Sequence, residues 1–89
     1  MATYMLVRHK VRDFSTWKPA YDAHRTKRDN AGLTQEHVLR GASDPNEVVL
    51  LFRAADLGRA KAFAESTDLR EVMTKAGVVD RPDIVFLTG

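Results

Sequence analysis

Residues 47–54 read EVVLLFRA, in which five apolar side chains follow one another from Val48 to Phe52. An unbroken apolar run of this length, rich in branched residues, is typical of a β-strand with both faces covered. A strand with one solvated face would instead alternate apolar and polar residues. The stretch therefore predicts a central strand, Glu47–Ala54, in a sheet that is covered on both sides.

Three other segments predict the remaining strands of this sheet. Tyr4–Val11 alternates with a period of two, which places His9 on the same face as three apolar side chains. Leu33–Arg40 is less apolar and is expected nearer an edge of the sheet. Ile84–Leu87 predicts the last strand.

A helix is predicted between the first two strands, over Asp13–Ala31, where aromatic and polar residues recur at spacings of three and four. Proline is tolerated only in the first turn of a helix, because its missing amide proton has no helical partner there. Pro19 therefore places the start of the regular helix near Ser15 or Thr16, after a tight turn. Gly32 is suited to ending it.

A second helix is predicted between residues 47–54 and the last strand. Asp56 offers a capping oxygen before an apolar face that recurs at helical spacing. Ser66–Asp68 interrupts this pattern and supplies a new capping residue, and Gly77 ends it. The helix is therefore expected to be broken near its middle.

The resulting order, β-α-β-β-α-β, predicts a single ferredoxin-like α+β domain over residues 1–89. Such a domain is a four-stranded antiparallel sheet with both helices on one face. A chain of 89 residues is too short for a second core. Because the helices leave one apolar sheet face bare, and such faces are rare on monomers, we expect a homodimer that packs sheet against sheet.

The composition disfavours several classes of protein. The net charge is +2 with basic and acidic residues interspersed, whereas nucleic-acid binders cluster their basic residues. No apolar run approaches the roughly 18–20 residues of a membrane span, and Met1–Arg12 lacks the plan of a signal peptide. The absence of cysteine excludes disulfides and thiolate metal sites. We therefore expect a soluble cytoplasmic protein with no membrane and no nucleic-acid partner.

The candidate site is a group of histidine and aromatic side chains in the first half of the chain. Trp17, Tyr21, His24 and Arg28 follow at spacings of four, three and four, which places them on one stripe of the first helix. His9 faces this stripe if the helices cover its face of the strand. Histidine suits general acid–base catalysis because its pKa lies near neutrality. We therefore assign His9 as a candidate catalytic base and His24 as a second proton carrier or hydrogen-bond donor.

Each of these residues also has an ordinary structural use. As structural residues, His9 would be a core histidine bonded to a carbonyl and His24 a half-exposed helix residue. Trp17 and Tyr21 either stack an aromatic ligand or pack in the core with a satisfied polar tip. His37 is a third candidate for substrate binding, on a strand whose facing the sequence leaves open. No metal site is expected, because the three histidines come from strand, helix and strand with no short ligand spacing.

Five segments carry a resemblance to a known group of proteins. They are Leu6–Val11, Asp13–Trp17, Tyr21–His24, Asp44–Val49 and Lys75–Val78. In these segments the chain resembles the dimeric α+β barrel proteins, and among them the small proteins similar to antibiotic-biosynthesis monooxygenases. The resemblance covers nearly the whole chain.

The resemblance implies a homodimer and an activity. Monooxygenases of this group oxidise aromatic polyketides without metal or flavin and bind the flat substrate between the sheet and the helices. For this chain the resemblance implies no cofactor and a small aromatic or enolisable ligand, with Trp17 and Tyr21 against its ring and His24 donating to its oxygen. A non-catalytic dimer that binds a small metabolite, or has a role in stress, is the alternative.

Haem degradation, which other relatives perform, is not expected. Those relatives use an Asn on the first strand, a Trp on a later strand and a haem-ligating His on the second-half helix. In this sequence the only tryptophan is Trp17, on the first predicted helix, and no histidine follows His37. The first predicted strand also contains no asparagine.

Overall fold

The structure is a computed structural model that describes residues 2–89. Within these residues, four strands and four helices follow one another in the order β-α-α-β-β-α-α-β. Their bounds are β1 Thr3–Lys10, α1 Phe14–Ala23, α2 Arg25–Asn30, β2 Leu33–Arg40, β3 Glu47–Ala54, α3 Leu57–Ala64, α4 Thr67–Lys75 and β4 Asp83–Thr88.

The strands form one antiparallel sheet in the order β2-β3-β1-β4. This is the expected ferredoxin-like topology. Strand β3 has its predicted bounds and lies between two neighbours, as its unbroken apolar run indicated. Strand β2 also has its predicted bounds and lies at an edge. Strands β1 and β4 each differ from the prediction by one residue at either end.

The first helix begins earlier than predicted. Helix α1 starts at Phe14 rather than near Ser15 or Thr16, because the Asp13 carboxylate caps it by accepting a hydrogen bond from the Ser15 amide at 3.1 Å. Pro19 therefore lies inside α1 and removes one helical hydrogen bond. Pro19 and Ser15, four residues before it, are both exposed, so the missing bond is on the solvent side of the helix.

Each predicted helical segment is divided into two helices. His24 separates α1 from α2 with a backbone φ of −89° and ψ of 6°, a break that the sequence did not predict. The break between α3 and α4 is confirmed where Ser66 begins a new helix, its hydroxyl accepting a hydrogen bond from the Leu69 amide at 3.2 Å. Gly77 ends the second segment with a φ of +91°.

The core lies between the sheet and the helices. Helix α1 places Trp17 and Tyr21 against the sheet, and His9 is buried in the same layer. The strand face that carries His9 is therefore the face covered by helices. The central strands contribute Met5, Val7, Val48, Leu50 and Phe52 to this core.

The opposite face of the sheet is uncovered within residues 2–89. Leu6 on β1 pairs with Leu51 on β3 and with Val85 on β4, and Val85 is 46% exposed. These side chains form one apolar surface across the sheet, which we call the open face. The apolar side chains of the open face are Tyr4, Leu6, Leu39, Val49, Leu51, Val85 and Leu87. No helix within residues 2–89 is long and apolar enough to cross a membrane.

Candidate functional site

A cavity of about 50 Å³ lies between the sheet and the helices. His9, Trp17, Tyr21 and His24 all line it, so the structure brings four of the five predicted site residues together. Apolar side chains complete its wall, among them Leu50 and Phe52 of β3, Phe63 of α3, and Leu69, Val72 and Met73 of α4.

His9 stands on the sheet side of the cavity. It is 3% exposed, and its Nδ1 has no hydrogen-bond partner among the described residues. Its ring meets the Trp17 ring edge-on, with the centroids 5.7 Å apart. Burial lowers the pKa of His9, and the negative charge of Asp80 offsets part of that effect. The imidazole is therefore neutral at neutral pH and keeps one nitrogen that can accept a proton.

Trp17 and Tyr21 form the aromatic wall. Their rings are stacked, with centroids 4.8 Å apart and an interplanar angle of 24°. The Tyr21 hydroxyl donates a hydrogen bond to Oε1 of Gln35 at 2.8 Å. Burial raises the pKa of Tyr21, and the positive charge of Arg28 opposes this effect. Tyr21 therefore presents its ring to the cavity, while its hydroxyl is engaged elsewhere.

Arg28 lines the same cavity, although no role was assigned to it from the sequence. It is 7% exposed, and its Nη1 donates a hydrogen bond to the Tyr21 carbonyl oxygen at 2.7 Å. Its guanidinium carbon lies 3.8 Å from the centre of the Tyr21 ring. Burial lowers the pKa of Arg28 from its usual high value. The signal in the sequence was its position on the stripe, four residues after His24.

His24 lines the cavity where the first pair of helices meets the second pair. It lies at the break between α1 and α2, and its side chain is 10% exposed. Its ring stacks on that of Phe63 in α3, with centroids 5.8 Å apart. Its Nε2 lies 3.5 Å from Oδ2 of Asp68 in α4. This position places a ring with a donor and an acceptor nitrogen at the cavity wall.

His37 is not brought to the cavity. The pairing of β2 with β3 shifts between Gln35 and His37, and this irregularity reverses the facing of the strand. Gln35 thus points to the helix side, where it meets Tyr21, whereas His37 pairs with Leu51 on the open face and is exposed. The expectation that His37 takes part in the same substrate site is corrected by this placement. Within residues 2–89, no three His, Cys, Asp or Glu side chains are grouped as metal ligands would be.

No family model and no curated protein matches the sequence. Solved structures do match the fold. A protein from Bordetella bronchiseptica, provisionally named an antibiotic biosynthesis monooxygenase, superposes with a TM-score of 0.80 at 13% identity, over 99% of this chain and 96% of that chain. SnoaB, a cofactor-independent oxygenase from Streptomyces nogalater, superposes with a TM-score of 0.74 at 12% identity, over 99% of this chain and 92% of SnoaB.

The chain has an antibiotic biosynthesis monooxygenase-like fold. The resemblance noted in the sequence is confirmed at the level of the fold. A conserved protein from Methanosarcina mazei has the same architecture, with a TM-score of 0.73 at 12% identity over 98% of this chain and 91% of that chain. In this monooxygenase-like fold, the cavity of the present chain combines a neutral buried imidazole, a stacked aromatic wall and one buried guanidinium. Such a set can accept a proton, hold a ring and neutralise an anionic oxygen.

Proposed function

We propose that this chain is a cofactor-independent, monooxygenase-like enzyme that acts on a small aromatic or enolisable compound. The observation that carries the proposal is the convergence of His9, Trp17, Tyr21 and His24 on one apolar cavity. The fold shared with SnoaB, which is itself a cofactor-independent oxygenase, supports the same reaction class.

In the proposed reaction, His9 takes a proton from a phenolic oxygen or an activated C–H group. The resulting phenolate or enolate gives one electron to dioxygen, which yields a substrate radical and superoxide. Their recombination forms a carbon–oxygen bond. The peroxide takes the proton back from His9. Its O–O bond then breaks as the carbon that carries it loses its own hydrogen, so that water leaves and a carbonyl group remains. One oxygen atom of dioxygen enters the product and the other leaves in water.

The other cavity residues hold the substrate in this scheme. Trp17 and Tyr21 provide a flat apolar wall for the ring, and His24 donates a hydrogen bond to a substrate oxygen. The low pKa that burial gives His9 keeps it in the neutral form that a base requires at neutral pH. His37 has no part in the scheme because it lies on the open face.

Oxygen uptake tests this proposal with anthrone and a hydroquinone as substrates. We expect the wild-type protein to consume oxygen and His9→Ala to be about 100-fold slower, in the range typical for loss of a general base. The matched control is His37→Ala, which removes an exposed histidine on the other face and should retain the wild-type rate. Equal uptake by the wild type and His9→Ala would remove His9 from the mechanism.

The alternative function is a binding module without catalysis. It is favoured by one observation: the Tyr21 hydroxyl and the Arg28 guanidinium already have partners inside the chain, as core residues do. A ligand that binds the cavity with no oxygen consumption by any variant would support this alternative.

For its assembly, we propose a homodimer that packs through the open face. The support is the apolar surface from Leu6 across to Val85, which is larger than isolated exposed side chains produce. The cytoplasmic location expected from the cysteine-free sequence stays a prediction.

A further inference from the structure

The charges around the cavity are unbalanced. Arg28 carries a permanent positive charge there, and no Asp or Glu is among the described residues that line the cavity. Asp22 and Asp29 lie nearby but are exposed and pair with other cations. Asp22 accepts from Lys18 at 2.7 Å, and Asp29 lies 3.7 Å from Arg25. Neither forms an ion pair with Arg28 within residues 2–89, although the charges of both raise its pKa and all three residues line a surface groove.

Burying a guanidinium without a direct ion pair is unfavourable, because the protein interior solvates a charge less well than water does. Arg28 recovers part of this free energy through its hydrogen bond to the Tyr21 carbonyl and its stacking on the Tyr21 ring. A guanidinium has five N–H donors, however, and one protein hydrogen bond is found for Arg28 within residues 2–89. A negatively charged oxygen in the cavity would satisfy further donors and form the direct ion pair that Asp22 and Asp29 do not provide.

We propose that the cavity selects an organic anion: a small aromatic or enolisable compound whose ionised carboxylate or acidic hydroxyl pairs with Arg28. The ring lies against Trp17 and Tyr21, which make the adjacent wall apolar. The proposal rests on the proposed function for the location of the substrate and adds the charge that the substrate carries.

Calorimetric titration at about pH 8 tests this with benzoate, 4-nitrophenolate and benzamide, the last being a neutral analogue of benzoate. We expect wild-type protein to bind one of the two anions at least about 10-fold more tightly than benzamide, as a charge-assisted hydrogen bond predicts. Arg28→Met should lose this preference, and Arg28→Lys should keep part of it because the positive charge stays. Tighter binding of benzoate would indicate a carboxylate ligand, and tighter binding of 4-nitrophenolate would indicate a phenolate ligand.

The matched control is Arg25→Met, on the same helix, where an exposed arginine is removed. It should bind both anions like the wild type. The Trp17 indole NMR signal shows whether Arg28→Met is folded. If it is not, the preference for anions over benzamide in the wild type and in Arg28→Lys still tests the proposal. Equal affinities for benzoate, 4-nitrophenolate and benzamide in the wild type, or no binding of any, would overturn the proposal. Arg28-dependent anion binding without oxygen uptake would instead retain the anion site and reject the oxygenase.

Discussion

His9 is a titratable side chain in the core, and one of its ring nitrogens has no hydrogen-bond partner within residues 2–89. Buried polar atoms of native proteins are usually hydrogen-bonded, so an exception calls for an explanation. We propose that a ligand is the missing partner, which either gives its proton to the imidazole or accepts a hydrogen bond from it. The same burial that leaves the nitrogen without a partner also lowers the pKa of His9.

The lowered pKa of His9 predicts how stability depends on pH. The unfolded chain binds the His9 proton at a higher pH than the folded chain does, so acidification favours unfolding. The contribution of His9 is fully present above its unfolded pKa and falls as the pH decreases from there to its folded pKa. The free energy of unfolding, measured with urea, should therefore be lower at about pH 5 than at about pH 7.5 for the wild type. This decrease should be smaller in His9→Gln. His37→Gln, at an exposed site, should show the same decrease as the wild type. An identical pH dependence in wild type and His9→Gln would show that His9 does not cause the decrease.

The hydrogen bond of Tyr21 allows a second prediction, about stability. Tyr21→Phe keeps the ring that stacks on Trp17 but removes the hydrogen bond to Gln35. We expect the free energy of unfolding to fall by about 1 kcal/mol, the typical value of such a bond. Tyr4→Phe, on the open face, is the control and should change it by less than about 0.5 kcal/mol. A stability loss in Tyr4→Phe as large as that in Tyr21→Phe would argue against a specific Tyr21–Gln35 bond.

Helix α4 forms one wall of the cavity. Its side chains Leu69, Val72 and Met73 line the cavity, yet no residue of the helix is fully buried. The cavity of about 50 Å³ is smaller than the roughly 150 Å³ that accepts benzene in an engineered core. We therefore expect α4, which has no buried residue, to move outward when a ring binds.

Met73 provides a test of this motion. Its side chain lines both the cavity and a surface groove of about 560 Å³ that also contains Arg70 and Arg81. Met73→Ala should join the two spaces and raise the association rate of benzoate several-fold, measured by stopped-flow quenching of Trp17 fluorescence. Met5→Ala, which shortens a cavity residue on the sheet side, is the control and should leave the association rate unchanged. An unchanged rate in Met73→Ala would show that ligands use another route.

The strands were more predictable than the helices because their signals are local. The unbroken apolar run of β3 and the alternation of β1 each follow from which faces a strand buries. The bulge before His37 depends instead on how β2 pairs with β3, a distant contact that no periodicity in Leu33–Arg40 reveals. For this reason the face of His37 could not be read from the sequence.

The helical segments show the same division between local and tertiary causes. Ser66 caps α4 with its own hydroxyl, so the second break was visible in the sequence. The break at His24 has no proline or glycine, and no side-chain cap bond is formed there. It coincides with the stacking of His24 on Phe63 of another helix. Three of the four predicted site residues that line the cavity lie on the first-helix stripe, because a regular spacing survives even where a helix is interrupted.

At the scale of the whole molecule, the open face predicts self-association. Wild-type protein should sediment at micromolar concentration as a species of about 20 kDa, twice the 10.0 kDa chain. Val85→Asp places a charge on the open face and should shift the protein to the monomer. Leu57→Asp is the control, because Leu57 is 39% exposed at the start of α3 and is not on the open face. Wild-type protein that sediments only as a monomer would refute the sheet-to-sheet dimer.

We expect a ligand to bind in the cavity beside His9 and Trp17. Trp17 is the only tryptophan, so its indole N–H gives one assignable NMR signal, and His9 and His37 report on opposite faces of the sheet. Titration with benzoate or 4-nitrophenolate under nitrogen gives the most direct measurement. We expect the Trp17 indole and His9 ring signals to move together and saturate while the His37 signals stay in place. Movement of the His37 signals alone, or saturation binding that leaves Trp17 and His9 unchanged, would contradict this expectation.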